Sequence, residues 1–274
     1  MRIRLTHRTR YGYERPARAI TQRLRLIPRS HDGQRVIRWR VGFDVDARLR
    51  RHEDALGNIV QTAFVPGPVQ ALTITVAGEV ETAETHGVVS GAVERFAPEV
   101  FLRETSLTQA DAALAAFAHD HAAAEPETIG KLHALLTALH RTVAFDTAPT
   151  DATTSASEAF ALGRGVCQDH AHIFIAAARR LGIPARYVSG HLAPEVGAVE
   201  QEAGHAWAEA FAPGLGWVGF DPANGICPTP RYLRVAVGLD YLGAAPVRGA
   251  RTGGGTETLD VRLTVGQAQD QRQS

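Results

Sequence analysis

The sequence holds only two cysteines, Cys167 and Cys227, in unrelated local contexts. That excludes a disulfide framework and a four-cysteine zinc site, and makes a reducing compartment the expected one. No segment approaches the roughly 18 unbroken apolar residues that a membrane-spanning helix needs. The opening Met1-Arg2-Ile3-Arg4-Leu5-Thr6-His7-Arg8 has no apolar signal core. A cytoplasmic protein with no membrane partner is therefore expected.

Net charge is also lacking, with 29 basic and 29 acidic residues, but the balance is uneven. Residues 1–51 carry 15 arginines against 4 acids. A nucleic-acid partner is one reading of such a segment. The spacing favours another: Arg2, Arg4, Arg8 and Arg10 fall on even positions, and Arg23 and Arg25 alternate with Leu24 and Leu26. That is the solvated face of half-buried strands. With no zinc finger, helix-turn-helix or stacking-aromatic module beside the charge, nucleic acid is not expected as a partner.

The 274 residues suffice for one large domain or two ordinary ones. Period-two segments at 2–13, 20–26, 35–45, 58–65 and 69–80, broken by Pro- and Gly-bearing turns, predict an all-β, sandwich-like N-terminal domain over residues 1–85. A connecting segment with a helix follows at 86–125. Helical spacing then appears at 107–121 and 129–143, with further helices at 155–162 and 167–181. Strand-like runs return at 186–192, 205–211, 217–220, 233–237 and 259–265. Helices packed on an antiparallel sheet give an α+β core over residues 126–266, with closing strands. The Gly249–Gly255 stretch reads as a turn, and 267–274 as a flexible tail.

The chemistry concentrates in three phrases. Gly163-Arg164-Gly165-Val166-Cys167-Gln168-Asp169-His170 puts a cysteine on the first turn of a helix. Unpaired amides there favour thiolate over thiol and can donate to an oxyanion. Gly204-His205-Ala206-Trp207 places an imidazole at the start of a strand, as base to that thiol. Gly216-Trp217-Val218-Gly219-Phe220-Asp221-Pro222 ends a strand on an acid suited to hold the imidazole's other nitrogen.

In order and spacing these phrases, together with Leu181-Gly182-Ile183-Pro184-Ala185-Arg186-Tyr187-Val188-Ser189-Gly190, resemble the core of the transglutaminase-like superfamily, relatives of papain-type thiol enzymes. Tyr13-Glu14-Arg15-Pro16, Gln22-Arg23-Leu24-Arg25-Leu26-Ile27-Pro28-Arg29 and Asp54-Ala55-Leu56-Gly57-Asn58 resemble the β domain that precedes this core in a bacterial branch. Val235-Ala236-Val237-Gly238-Leu239-Asp240-Tyr241 resembles its closing segment. The resemblance implies a papain-like catalytic triad of Cys167, His205 and Asp221, no cofactor, and a peptide, protein or small-amide substrate opened through a thioester. Hydrolysis is the expected outcome, with protein-glutamine transamidation and a non-catalytic peptide-binding module as alternatives. Leu239, His191 and Ala223 depart from the Arg, aromatic and Thr that many members carry there.

Gln168, Asp169, His170, Trp207, Tyr187 and His191 are candidates for the cleft wall or for supporting the triad. His170 and His172 lie three and five residues beyond Cys167 and cannot converge with it on a metal, so no metal site is expected, and they read as supporting or helix-surface residues. Asp169 and Glu158 suit helix starts. Trp207 and Trp217 read as packing residues, and Cys227 as structural or incidental. The acidic stretch 191–203 is expected to be a loop forming a lip of the cleft, with Glu195, Glu200 and Glu202 discriminating against acidic substrates.

Overall fold

A computed structural model describes residues 1–148, 150–195, 197–201 and 204–267, with the backbone alone for 198–201. The tail expected at 267–274 lies, after its first residue, outside the described residues. The first part of the chain makes β1 (Arg2–Ile27), β2 (Gln34–Phe43), β3 (Arg48–Glu53) and β4 (Ile59–Thr82). Then come β5 (Val88–Val89), a 3-10 turn at Pro98–Leu102, α1 (Ala112–Ala122), α2 (Thr128–Thr142), β6 (Ala144–Phe145), α3 (Ala156–Leu162), β7 (Arg164–Gly165) and α4 (Cys167–Arg180). The rest is β8 (Ala185–Leu192), β9 (Ala198–Gln201), β10 (His205–Ala212), β11 (Gly216–Phe220), β12 (Tyr232–Gly238), α5 (Tyr241–Ala244), β13 (Val247–Gly253) and β14 (Glu257–Gln267). The fold is α+β, and no described helix is long and apolar enough to cross a membrane.

At the start of β1 the alternation has the anticipated consequence, with Ile3 and Leu5 buried while Arg2, Arg4, Arg8 and Arg10 face solvent. Arg25, expected on the solvated face, is instead buried between Leu24 and Leu26 and bonded to Asp54. Two expected breaks are absent. The strands anticipated at 2–13 and 20–26 are one, β1, and those at 58–65 and 69–80 are one, β4. Their irregular positions coincide, since the β1–β4 register shifts between Gly12 and Ala17 and again before Ala19. A Cβ on Gly67 would lie 2.3 Å from the Ala17 carbonyl oxygen, so the two backbones cross closely there. Turn-forming residues on both chains thus bend a paired ribbon instead of ending it.

The first sheet runs β2-β4-β1-β14-β9, with β13 also on β1 and β3 on β4. The closing strands β13 and β14 therefore complete the N-terminal sheet and not the core sheet to which the boundary at 126–266 would assign them. Most of the Gly249–Gly255 stretch is strand, turning at Gly254 and Gly255. The stretch expected as a loop at 191–203 contains β9, because pairing on β14 gives its backbone groups partners.

The second sheet runs β12-β8-β10-β11-β5. Helix α4 lies against its β10, with every residue from Asp169 to Arg179 buried. Small side chains make the close approach possible: Ala171, Ala177 and Ala178 on the helix share a core with Ala206, Ala208 and Ala210 on the strand. Leu114, Leu132, Leu135 and Leu139 of α1 and α2 close that core from outside, each contributing about 1.5–3 kcal/mol by burial.

On the other face of β10, Glu209 is fully buried between two guanidiniums. Arg186 of β8 donates to it at 2.7 Å and Arg234 of β12 at 2.7 Å, so one carboxylate ties three strands. Burial alone would raise that carboxyl; Arg234 and Arg186 overcome it and hold it well below its ordinary value. Arg186 in turn makes two bonds to Glu94 and lies 3.9 Å from the Trp217 ring centre. Removing the carboxylate leaves Arg234 without its acid and Arg186 with Glu94 alone, so Glu209→Ala should cost about 3–5 kcal/mol in urea unfolding. A loss below about 1 kcal/mol would mean the network does not hold the sheet.

Candidate active site

Helix α3 opens with a capping box between Ser155 and Glu158 and ends on Gly163 in the left-handed region. The chain then pairs Arg164–Gly165 beside Ala144–Phe145 and enters α4 through Val166 in extended conformation. Gly165 is required here, because a Cβ would lie 2.5 Å from the Asp169 carboxylate. That carboxylate reaches back to accept the Val166 N–H at 2.8 Å and the Thr150 hydroxyl at 2.7 Å. Burial pushes its carboxyl above the ordinary value against the pull of these two bonds. Cys167 is left as the first residue of α4, where first-turn amides have no acceptor within the helix.

His205 begins β10, and two partners hold its ring. Asp221 Oδ2 lies 2.6 Å from Nε2, and the Cys167 side chain makes the other hydrogen bond. With Nε2 engaged by the carboxylate, Nδ1 is the nitrogen left for the sulfur. Asp221 itself is fully buried. Its Oδ2 also accepts from the Tyr232 hydroxyl at 2.6 Å and from Asn224 Nδ2 at 2.7 Å. Burial alone would raise the Asp221 carboxyl; His205, Tyr232 and Asn224 bring it below its ordinary value. For His205 burial opposes the charge, yet the bonds to Asp221 and Cys167 prevail and raise the imidazole to about 10. The arrangement favours the charged form of the imidazole beside the Cys167 sulfur.

Cys167 and His205 open onto a cavity of about 520 Å³. Of the supporting candidates, Gln168, Tyr187 and His191 line it. Trp207 does not; it is buried behind His205, with ring centres 6.2 Å apart, and packs edge-on against Tyr232. His170 is buried, its ring nitrogens 2.9 and 3.1 Å from the carbonyls of Val166 and Val143. His172 is also buried and accepts the Tyr241 N–H. Neither is on the helix surface, because α4 is enclosed on all sides. Trp217 packs on Arg186, and Cys227 sits beside the core away from the cavity.

Two contributors escape a reading of the sequence. Asn224 carries a local signal, an amide three residues after the acid in Asp221-Pro222-Ala223-Asn224. Tyr232 carries none, since only the fold brings β12 beneath the carboxylate. The acidic-lip expectation changes as well. Glu195 pairs with Arg231 at 3.0 Å and does not line the cavity; the Glu200 side chain and Glu202 lie outside the described residues.

Comparison with known proteins agrees with this architecture. Residues 115–222, which include Cys167, His205 and Asp221, match the model of the transglutaminase-like superfamily, and residues 3–81 match that of the bacterial transglutaminase-like N-terminal region. An uncharacterized protein of Mycobacterium leprae is 34% identical over 278 residues, covering 96% of this chain and 98% of its own. One from Mycobacterium bovis is 29% identical over 289 residues, covering 96% and 92%. The chain belongs to the transglutaminase-like superfamily. Among solved structures, a candidate cysteine protease from Cytophaga hutchinsonii superposes with a TM-score of 0.78 over 97% of this chain and 90% of that one, at 19% identity, which shows a shared fold.

The His205 imidazole is raised from 6.5 to about 10. The stability it gains from its partners is therefore complete below pH 6.5 and is lost as pH rises through about 10. The gap in melting temperature between the protein and His205→Gln should narrow steadily from about pH 6.5 to 10. A gap independent of pH would contradict the coupling.

Proposed function

We propose that the protein is a cysteine-dependent acyl-transfer enzyme acting on amide or peptide bonds, with Cys167 as nucleophile, His205 as its acid and base, and Asp221 as the group that orients and charges the imidazole. The observation that carries this reading is the His205 ring held between Asp221 Oδ2 and the Cys167 side chain at the edge of a cavity.

The steps follow from those positions. The sulfur attacks the carbonyl carbon, and the oxygen that gains charge is met by first-turn amides of α4. Collapse of the adduct breaks the C–N bond. The departing nitrogen takes the Nδ1 proton of His205, and a thioester remains on Cys167. A water molecule then gives its proton to Nδ1 and attacks the thioester carbon, releasing a carboxylic acid and restoring the sulfur–imidazolium pair. An amine in place of water gives transamidation by the same residues. Hydrolysis is the preferred reading, because water needs no second binding site.

Iodoacetamide tests the sulfur directly. At pH 6.5 it should alkylate Cys167 rapidly, and His205→Ala should slow that reaction at least about tenfold. p-Nitrophenyl acetate should leave one acetyl group on Cys167, visible by mass spectrometry and removed by water. Equal alkylation rates in both proteins would reject the reading.

A further inference from the structure

The cavity beside Cys167 is unusual in what surrounds it. Among the described residues no aspartate or glutamate lines it, while Arg25, His7, His191 and His205 do. Three of these have unmet hydrogen-bonding capacity. Nη1 of Arg25 and Nδ1 of both His7 and His191 are buried without a partner. The residues themselves are only 8%, 7% and 6% exposed, so solvent does little to satisfy them.

Arg25 is the full cation of the three, since a guanidinium does not deprotonate in proteins. Its Nε is committed to Asp54 Oδ2 at 3.0 Å. Asp54 is itself shared with the Leu56 N–H, the Asn58 N–H and the Asn58 side-chain amide, which draws its charge into the turn after β3. His7 is held by Thr9 through Nε2 and stands edge-on to His191, with ring centres 5.9 Å apart. Burial lowers His7, and burial with the neighbouring His7 and His205 lowers His191 to about 3. Both rings therefore favour their neutral forms beside the Arg25 guanidinium.

We infer that this wall is a specificity subsite in which a carboxylate of the acyl substrate, from an acidic side chain or a chain terminus, is drawn to Arg25 beside the His7 and His191 rings. The inference rests on the acyl-transfer reading and deepens it. His7 and Arg25 both come from β1, so the N-terminal sheet selects the substrate that Cys167 attacks. A guanidinium in a wall that holds no carboxylate among the described residues favours an anionic ligand, and its fork suits a carboxylate.

Alkylating reagents of graded reach provide the test. N-iodoacetylglycine and N-iodoacetyl-4-aminobutanoate are each compared with their uncharged primary amides for the rate of labelling Cys167. The shorter reagent imitates a chain-terminal carboxylate close to the reacting carbon, and the longer an acidic side chain. At least one carboxylate should label about tenfold faster than its amide in the wild type and in Arg25→Lys, and the advantage should fall to about twofold or less in Arg25→Gln. Asp54→Asn, which keeps Arg25 and removes its carboxylate neighbour, should preserve or widen it. No advantage at either reach in the wild type, or one that survives Arg25→Gln, overturns the inference. Each ratio is taken within one variant, so a loss of sulfur reactivity, which would sink the acyl-transfer reading, slows both members of a pair and leaves the ratio to report on Arg25.

Discussion

A single oxygen of a fully buried carboxylate, Asp221 Oδ2, accepts from an imidazole, a phenol and an amide. A buried anion is stable only when hydrogen bonds replace the water it has lost. Those bonds therefore require His205, Tyr232 and Asn224 to occupy definite places. Two of these are a turn and a strand with no local relation to His205. Against the effect of burial, Asp221 with Cys167 raises the imidazole well above its ordinary value. Everything else in the core can be read as the means of keeping that contact in register.

Three devices serve it. Helix α4 is packed against β10 through small side chains, which brings the helix tip to the first residue of the strand. Asp169 folds back onto Val166 and leaves α4 beginning on Cys167. Glu209 clamps β8 and β12 onto β10 from the opposite face, and β12 carries Tyr232. The bent ribbon of β1 and β4, closed by β13 and β14, brings His7 and Arg25 to the same cavity. In this arrangement the N-terminal sheet lines the cavity beside Cys167 as well as forming the scaffold.

Much of this was legible in the residues, and the limits have physical causes. The cysteine after two glycines, the histidine opening a strand and the acid closing the next lie in contiguous phrases, each with its own backbone signal. Alternating arginines marked the solvated face of β1 because period two survives whatever the sheet pairs with. Strand ends were misread at Pro16 and Pro66-Gly67-Pro68, where turn residues bend a ribbon that its partner keeps paired. The use of β13 and β14 to close the first sheet was hidden, since strand periodicity does not name a partner more than 200 residues away. Tyr232, His7 and Arg25 were hidden for the same reason. Their roles arise from tertiary placement, and nothing adjacent to them in the chain announces it.

The most direct examination of the central contact is a 15N-histidine NMR titration of the His205 ring, in the protein and in Asp221→Asn. Both ring nitrogens should carry protons at pH 7 and remain so until pH approaches about 10, and loss of the carboxylate should bring the titration down towards the ordinary imidazole range. A His205 ring that is already neutral at pH 7 in the unaltered protein, or one indifferent to Asp221, would contradict the account.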